Sequence, residues 1–325
     1  MRRINNEAYR FATRQEWDCF YRGCKCKAIL SHSQQRKGSL TAIAERGKVV
    51  VVSRGMLKAL NRPFDVNIPN VDHYECEVAK ASTFIGFCNR HDTSLFASIE
   101  TGRLTPNSDE QVLAFYRRAL SYEFAQEQTV YQFLKCRYDL LRGNGYCCKE
   151  YEDYLIESDM LMRSDINYYI DPMWSDDYYK KLHWVWRVFP ENLNVSVTSM
   201  MSPVSTAEGL AITEPFMDFA NRMMHCARPA MSFSVVPGQH ESHVIMAWAD
   251  INDKYMENYK SRLQSADDEV AKGVINECVF TKSEDYCINP TLWGSLSEDI
   301  KSELSHAVYD AKFQPQRSVV PNIVK

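Results

Sequence analysis

Two short cysteine and histidine spacings constrain this chain more than anything else in it: Cys19-x4-Cys24 and Cys88-x2-His91. Four ligands converge tetrahedrally on one zinc ion most readily when two short turns deliver them in pairs. Gly23 beside Cys24 and Gly86 just before Cys88 suit such turns. Other donors lie nearby. Cys24-x-Cys26 is tight for a knuckle and Cys19-x6-Cys26 is wide, while His73-x2-Cys76 is a further pair able to replace one member. The expected set is Cys19, Cys24, Cys88 and His91, with zinc as a structural metal. Eleven cysteines are an odd number, and the opening MRRINNEAYRFATRQEW lacks the apolar core of a signal peptide. That combination argues for metal ligation and buried thiols over a disulfide framework, and for a cytoplasmic protein.

The pattern along the chain predicts an α+β protein. Short apolar runs at 28–30 and 48–52 read as strands, and 39–46 as a short helix ended by Gly47. Residues 53–72 carry Gly, Pro and Asn and read as loop. After a polar break near Pro106, Ser108 opens a long helix through Leu141, with a second helix over 151–170. The period then changes to two. Segments 183–189 and 193–198 read as one hairpin, and 232–236 with 243–248 as another. Helices are expected over 252–276 and 296–311, and a tail over the last ten residues. The whole reads as a small zinc-stabilised, treble-clef-like module over 1–104 and a larger helical and antiparallel-sheet domain over 105–325. Trp184 and Trp186 share one strand face and read as core. His240 and His243 stand three apart, so on a strand they point to opposite faces. A loop histidine is the plainer reading.

A net charge of −4 excludes a global basic field. A local one remains: nine lysines and arginines lie between Arg2 and Lys37, the distribution expected of a module that contacts the phosphates of DNA or RNA. No run of about 18 apolar residues occurs, so no membrane partner is expected. Phosphate-loop, dinucleotide-binding, G-x-S-x-G and H-E-x-x-H signatures are absent, which removes motor ATPases and serine hydrolases.

Between the knuckles lies Ser31-His32-Ser33-Gln34-Gln35-Arg36. A histidine closing a short strand just after a zinc knuckle resembles the HNH, or ββα-metal, nucleases. The resemblance covers about 75 residues. It implies His32 as general base and Asp92, directly after the last knuckle, as ligand of a catalytic magnesium ion. The chain departs from that pattern in three places. No Asn lies between Val71 and Cys88 to orient the base, the helix position holds Asp where His is usual, and the second knuckle is Cys-x2-His. SHSQQ, the block ASTFIGFCNRHDTSLFASIE and the later SFSVVPGQHESHVIMAW also resemble a bacterial family of unassigned activity, over most of the chain. That likeness implies an accessory or phage-defence role. The leading expectation is an HNH-like nuclease acting on DNA or RNA. The alternative is a non-catalytic zinc-binding protein whose larger domain senses a protein partner.

Overall fold

A computed structural model describes residues 2–52, 72–100, 103–146, 149–202, 229–283, 285–313 and 320–325. Most of the loop expected at 53–72, and Cys147-Cys148, lie outside them. In chain order the elements are α1 (Arg2–Thr13), β1 (Leu30–His32), a π-turn (Arg36–Leu40) running into α2 (Thr41–Ile43), β2 (Lys48–Val52), β3 (His73–Glu77), β4 (Thr83–Ile85) and α3 (Asn89–Glu100). Then come α4 (Asp109–Gly143), α5 (Lys149–Asp165), β5 (Leu182–Phe189), β6 (Val195–Met201), β7 (Met231–Pro237) and β8 (Ser242–Ala249). The last are α6 (Asp253–Leu263), α7 (Asp268–Glu277), β9 (Tyr286–Ile288), α8 (Pro290–Ser295) and α9 (Glu298–Phe313).

Among the described residues, seven strands form one antiparallel sheet in the order β3-β2-β9-β6-β7-β8-β5. Strands β6, β7 and β8 are buried along their whole length. Both faces of the sheet are therefore covered. On one face Val195, Val197, Phe233 and Met246 pack against Met256, Tyr259, Val274 and Ile275 of α6 and α7. On the other, Met200, Ile245 and Ala247 meet Val112, Phe115 and Tyr116 of α4. Each large apolar side chain so buried contributes about 1.5–3 kcal/mol.

Helix α4 begins where Ser108 accepts a hydrogen bond from the Gln111 amide, and ends at Asn144 with Gly145 at φ +81°. Its 35 residues make a rod of about 52 Å. The first half lies on the sheet. The second half packs Phe133 and Leu134 against Ala8 and Ala12 of α1.

Strands β5 and β6 are not the hairpin expected from their adjacency. β5 pairs β8, while β6 pairs β7 and β9. Two strands therefore stand between them. The connection must cross three strand spacings, about 14 Å, which the few residues between Phe189 and Val195 can span. It is tied as it crosses: the Leu193 amide donates to Ser242 Oγ at 2.9 Å, and Ser242 Oγ donates to the Glu191 carbonyl at 2.8 Å. The 232–236/243–248 hairpin forms as expected.

The single helix expected over 252–276 is broken at residues 264–267. Arg187 of β5 donates to the Leu263 carbonyl at 2.9 Å and to Ser265 and Asp268, clamping the turn between α6 and α7. Of the expected tail, residues 320–325 are described, and they are tied down. Ile323 and Val324 are buried, and their amides donate to Asn276 Oδ1 at 3.1 and 2.9 Å.

Segments 1–104 and 105–325 share this architecture. β2 pairs β9 across more than 200 residues of sequence, and Cys19, Phe84, Phe87 and Cys88 lie in the same apolar cluster as α4.

Candidate metal centre

The first knuckle is the tip of a narrow loop. The Cys19 amide donates to the Cys26 carbonyl at 2.8 Å and the Ala28 amide to the Trp17 carbonyl at 2.9 Å. The Cys24 amide closes the tip on the Tyr21 carbonyl at 2.9 Å, and Gly23 takes φ +77°, which a residue without Cβ adopts freely. This loop hooks onto the second knuckle. Phe20 and Ile29 amides donate to the carbonyls of Gly86 and Phe87 at 2.9 and 2.7 Å. Strand β1 then pairs antiparallel with β4, setting His32 opposite Thr83. α3 follows, its first turn closed by the Asp92 amide on the Cys88 carbonyl at 2.9 Å.

The donor atoms of Cys19, Cys24, Cys88 and His91 all lie within 4.8 Å of one another, a group that could hold a metal ion. Cys19 Sγ and Cys88 Sγ stand 3.3 and 3.4 Å from His91 Nδ1, and Cys24 Sγ stands 4.0 Å from Cys88 Sγ. Burial pushes the Cys19 thiol up to about 11, whereas the His91 backbone amide holds the Cys88 thiol below its ordinary value. Tyr21 stacks on the His91 ring with centroids 4.0 Å apart, and Trp174 meets Tyr21 edge-on at 5.2 Å. The aromatic cover was not legible from spacing.

The rival ligands fall elsewhere. Cys26 is exposed and outside the group of four. His73 and Cys76 lie on β3, where His73 Nε2 meets the Tyr286 hydroxyl at 2.8 Å and the ring stacks on Trp293.

The segment after β1 is a polar hub. Ser33 Oγ lies 3.1 Å from the Ser82 carbonyl and 2.5 Å from the Asp285 carboxylate. Gln34 donates to the Asp285 carbonyl at 3.2 Å, and Gln35 to the Ile99 carbonyl at the end of α3. These three residues tie the knuckle hairpin to α3 and to the approach to β9. His32 differs from them. Its Nε2 is buried with no hydrogen-bond partner. Burial, helped by the Arg36 charge, holds the imidazole below its usual range, so it is neutral.

The charged groups that reach His32 are Arg36, Arg118 and Glu100. Arg118 is buried, donates to Glu100 Oε1 at 2.6 Å and lies over the Phe96 ring at 4.3 Å. Asp92 sits in the first turn of α3 and Glu100 in its last. Eight residues separate them, about 12 Å of helix rise. The Glu100–Arg118 pair was missed in the sequence because its members come from two helices and form no motif.

Among the described residues, no helix is long and apolar enough to cross a membrane. No protein-family model, curated protein or solved structure matches this chain.

Proposed function

We propose that the chain is a zinc-stapled, treble-clef-like protein of HNH-like layout that hydrolyses phosphodiester bonds in nucleic acid. Zinc fits the donor set. Bonds of about 2.3 Å to sulfur and 2.0 Å to nitrogen imply tetrahedral edges of about 3.8 Å between sulfurs and 3.5 Å from sulfur to nitrogen. The group's 4.0, 3.3 and 3.4 Å edges agree with that shape. Zinc here supplies folding free energy.

The observation that carries the reading is His32. It ends β1, burial keeps its imidazole neutral, and its Nε2 has no hydrogen-bond partner. That is the state in which an imidazole accepts a proton from water near neutral pH. Arg36 supplies positive charge beside it, suited to a phosphate. A carboxylate of α3 is the natural holder of magnesium, a hard, oxygen-seeking ion. The HNH-like layout assigns Asp92, and Glu100 is the carboxylate whose charge reaches His32.

The test is cleavage of supercoiled plasmid and single-stranded RNA by zinc-loaded protein with added magnesium. His32→Ala abolishes cleavage with zinc content unchanged. Asp92→Asn and Glu100→Gln identify the carboxylate by raising the magnesium requirement. Loss of zinc in His32→Ala, or full activity in it, removes the catalytic role.

One observation favours a second reading, the non-catalytic interaction protein. His32 Nε2 is shielded from solvent, and Asp92 lies at the far end of α3 from Glu100. Under it the same assay shows no cleavage by the wild type.

A further inference from the structure

A groove of about 310 Å³ opens beside the polar hub, between the π-turn and the tip of the β7–β8 hairpin. Its floor is apolar, with Leu104, Val236 and Pro237. Its charged lining is Lys37 on one wall and Glu241 on the other. These two do not pair with each other, and Glu241 is instead held in place by the fold. Gly238 closes the hairpin tip by donating to the Glu241 carbonyl at 2.7 Å. A Cβ at 238 would stand 3.0 Å from that oxygen, so the turn admits little else.

The Glu241 side chain is fixed by a relay. Trp186 Nε1 donates to His243 Nδ1 at 3.0 Å, which leaves the proton on Nε2, and Nε2 faces Glu241 Oε1 at 3.3 Å. His243 is buried and packed edge-on against Trp186. Burial holds it below the usual histidine range, against the pull of Glu241. Its ring thus serves as a neutral donor to the carboxylate. Arg103 is near enough to be felt by the same ring. Within the lining, one cation, Lys37, and one oriented carboxylate, Glu241, therefore flank the apolar residues.

We propose that this groove binds a guanine nucleotide. Guanine is the common base that presents two adjacent N–H donors on one edge, matching the two oxygens of a carboxylate, while adenine offers that edge one donor and one acceptor. A planar base lies against Pro237 and Leu104, and Lys37 takes the phosphate. The groove's volume suits one nucleotide. The reading is independent of cleavage, because it uses none of His32, Glu100 or Arg118. A free nucleotide and a guanine in a single strand present the same chemistry.

The test is displacement of a fluorescent guanosine monophosphate from full-length, zinc-loaded protein. GMP competes at least about tenfold better than AMP or CMP, the scale of one bidentate base contact. Glu241→Gln removes that preference. Lys37→Ala weakens GMP and leaves guanosine unchanged. His240→Ala, at the exposed hairpin tip and outside the groove's lining, binds as wild type and shows that surface changes there are tolerated. His32→Ala also binds as wild type, which separates this site from the nuclease reading. Competition by a guanine-containing pentanucleotide better than GMP assigns the site to strands, and weaker competition assigns it to free nucleotide. Equal competition by GMP and AMP, displacement by a free amino acid instead, or no binding of the probe at millimolar concentration overturns the proposal.

Discussion

The seven-stranded sheet and the knuckle loops are held together by opposite means. The sheet spreads its stability over dozens of apolar side chains on two faces, and no single one decides whether it forms. The knuckles share one edge of that packing through Phe20 and Phe87, and add a tie of another kind. Residues 17–28 and 86–91 are joined by a handful of backbone hydrogen bonds and by four donor atoms around one point. Area-driven regions fail gradually as side chains are trimmed. Metal-tied regions fail at once when a ligand goes. The largest effect expected is therefore at Cys88. On the proposed zinc reading, Cys88→Ser, or treatment with a strong chelator, removes the metal and opens the loop over about 17–28. Elemental analysis together with limited proteolysis reads this out. A variant that keeps one zinc per chain and resists cleavage in the loop shows the tie is not the metal.

The sheet supplies the contrast. Phe233 is fully buried in β7, and Phe233→Ala costs about 3–5 kcal/mol through lost transfer energy and an unfilled cavity. Urea unfolding measures it, and zinc content per folded molecule stays unchanged. A loss of zinc in step with the lost stability would mean that the two regions unfold as one unit.

How much of this was legible in sequence follows the same division. The four donors of the candidate metal group come as two local pairs, so spacing finds them. β2, the β7–β8 hairpin and α4 are also local, each carried by its own period and stop signals. What escaped is long-range. The β2–β9 pairing joins Val50 to Ile288, and nothing in either segment names the other. The β5–β6 adjacency suggested a hairpin, yet the sheet places β7 and β8 between them, and Trp184 and Trp186 pack into the α4-side cluster from the edge. The SHSQQ segment read as chemistry. Three of its residues are mainly structural, because Asp285 and Ile99 need partners that only the folded chain brings near.

Acid should separate the regions further. His73 of β3 faces the Tyr286 hydroxyl of β9, and burial lowers its pKa to about 4 against the opposing charge of Asp72. The unfolded chain takes up this proton near pH 6.5, while the folded chain refuses it down to about 4. Unfolding therefore becomes easier as pH falls through that window, by up to about 3 kcal/mol in all. His73→Asn, which has no proton to take up, flattens that part of the stability curve. An unchanged acid limb in the variant would assign the effect to other groups.

The smallest effect probes where the two regions touch. Gly86 precedes the second knuckle, and a Cβ there would stand 2.3 Å from the Phe84 ring. That ring has nowhere to go: it is buried, edge-on to Phe87 at 6.4 Å and to Tyr122 of α4 at 5.5 Å. Gly86→Ala must push either the ring into α4 or the knuckle away from it, at a cost of about 1–3 kcal/mol. If the knuckle yields, zinc affinity falls with stability; if the ring yields, only stability does. Phe84→Leu separates the cases, since a shorter side chain vacates the contested space. The Gly86→Ala cost is then smaller in the Phe84→Leu background than in the wild type, a coupling that a double-mutant cycle reads directly. Equal costs in the two backgrounds would show that Gly86 is needed for its backbone and not for the approach of Phe84.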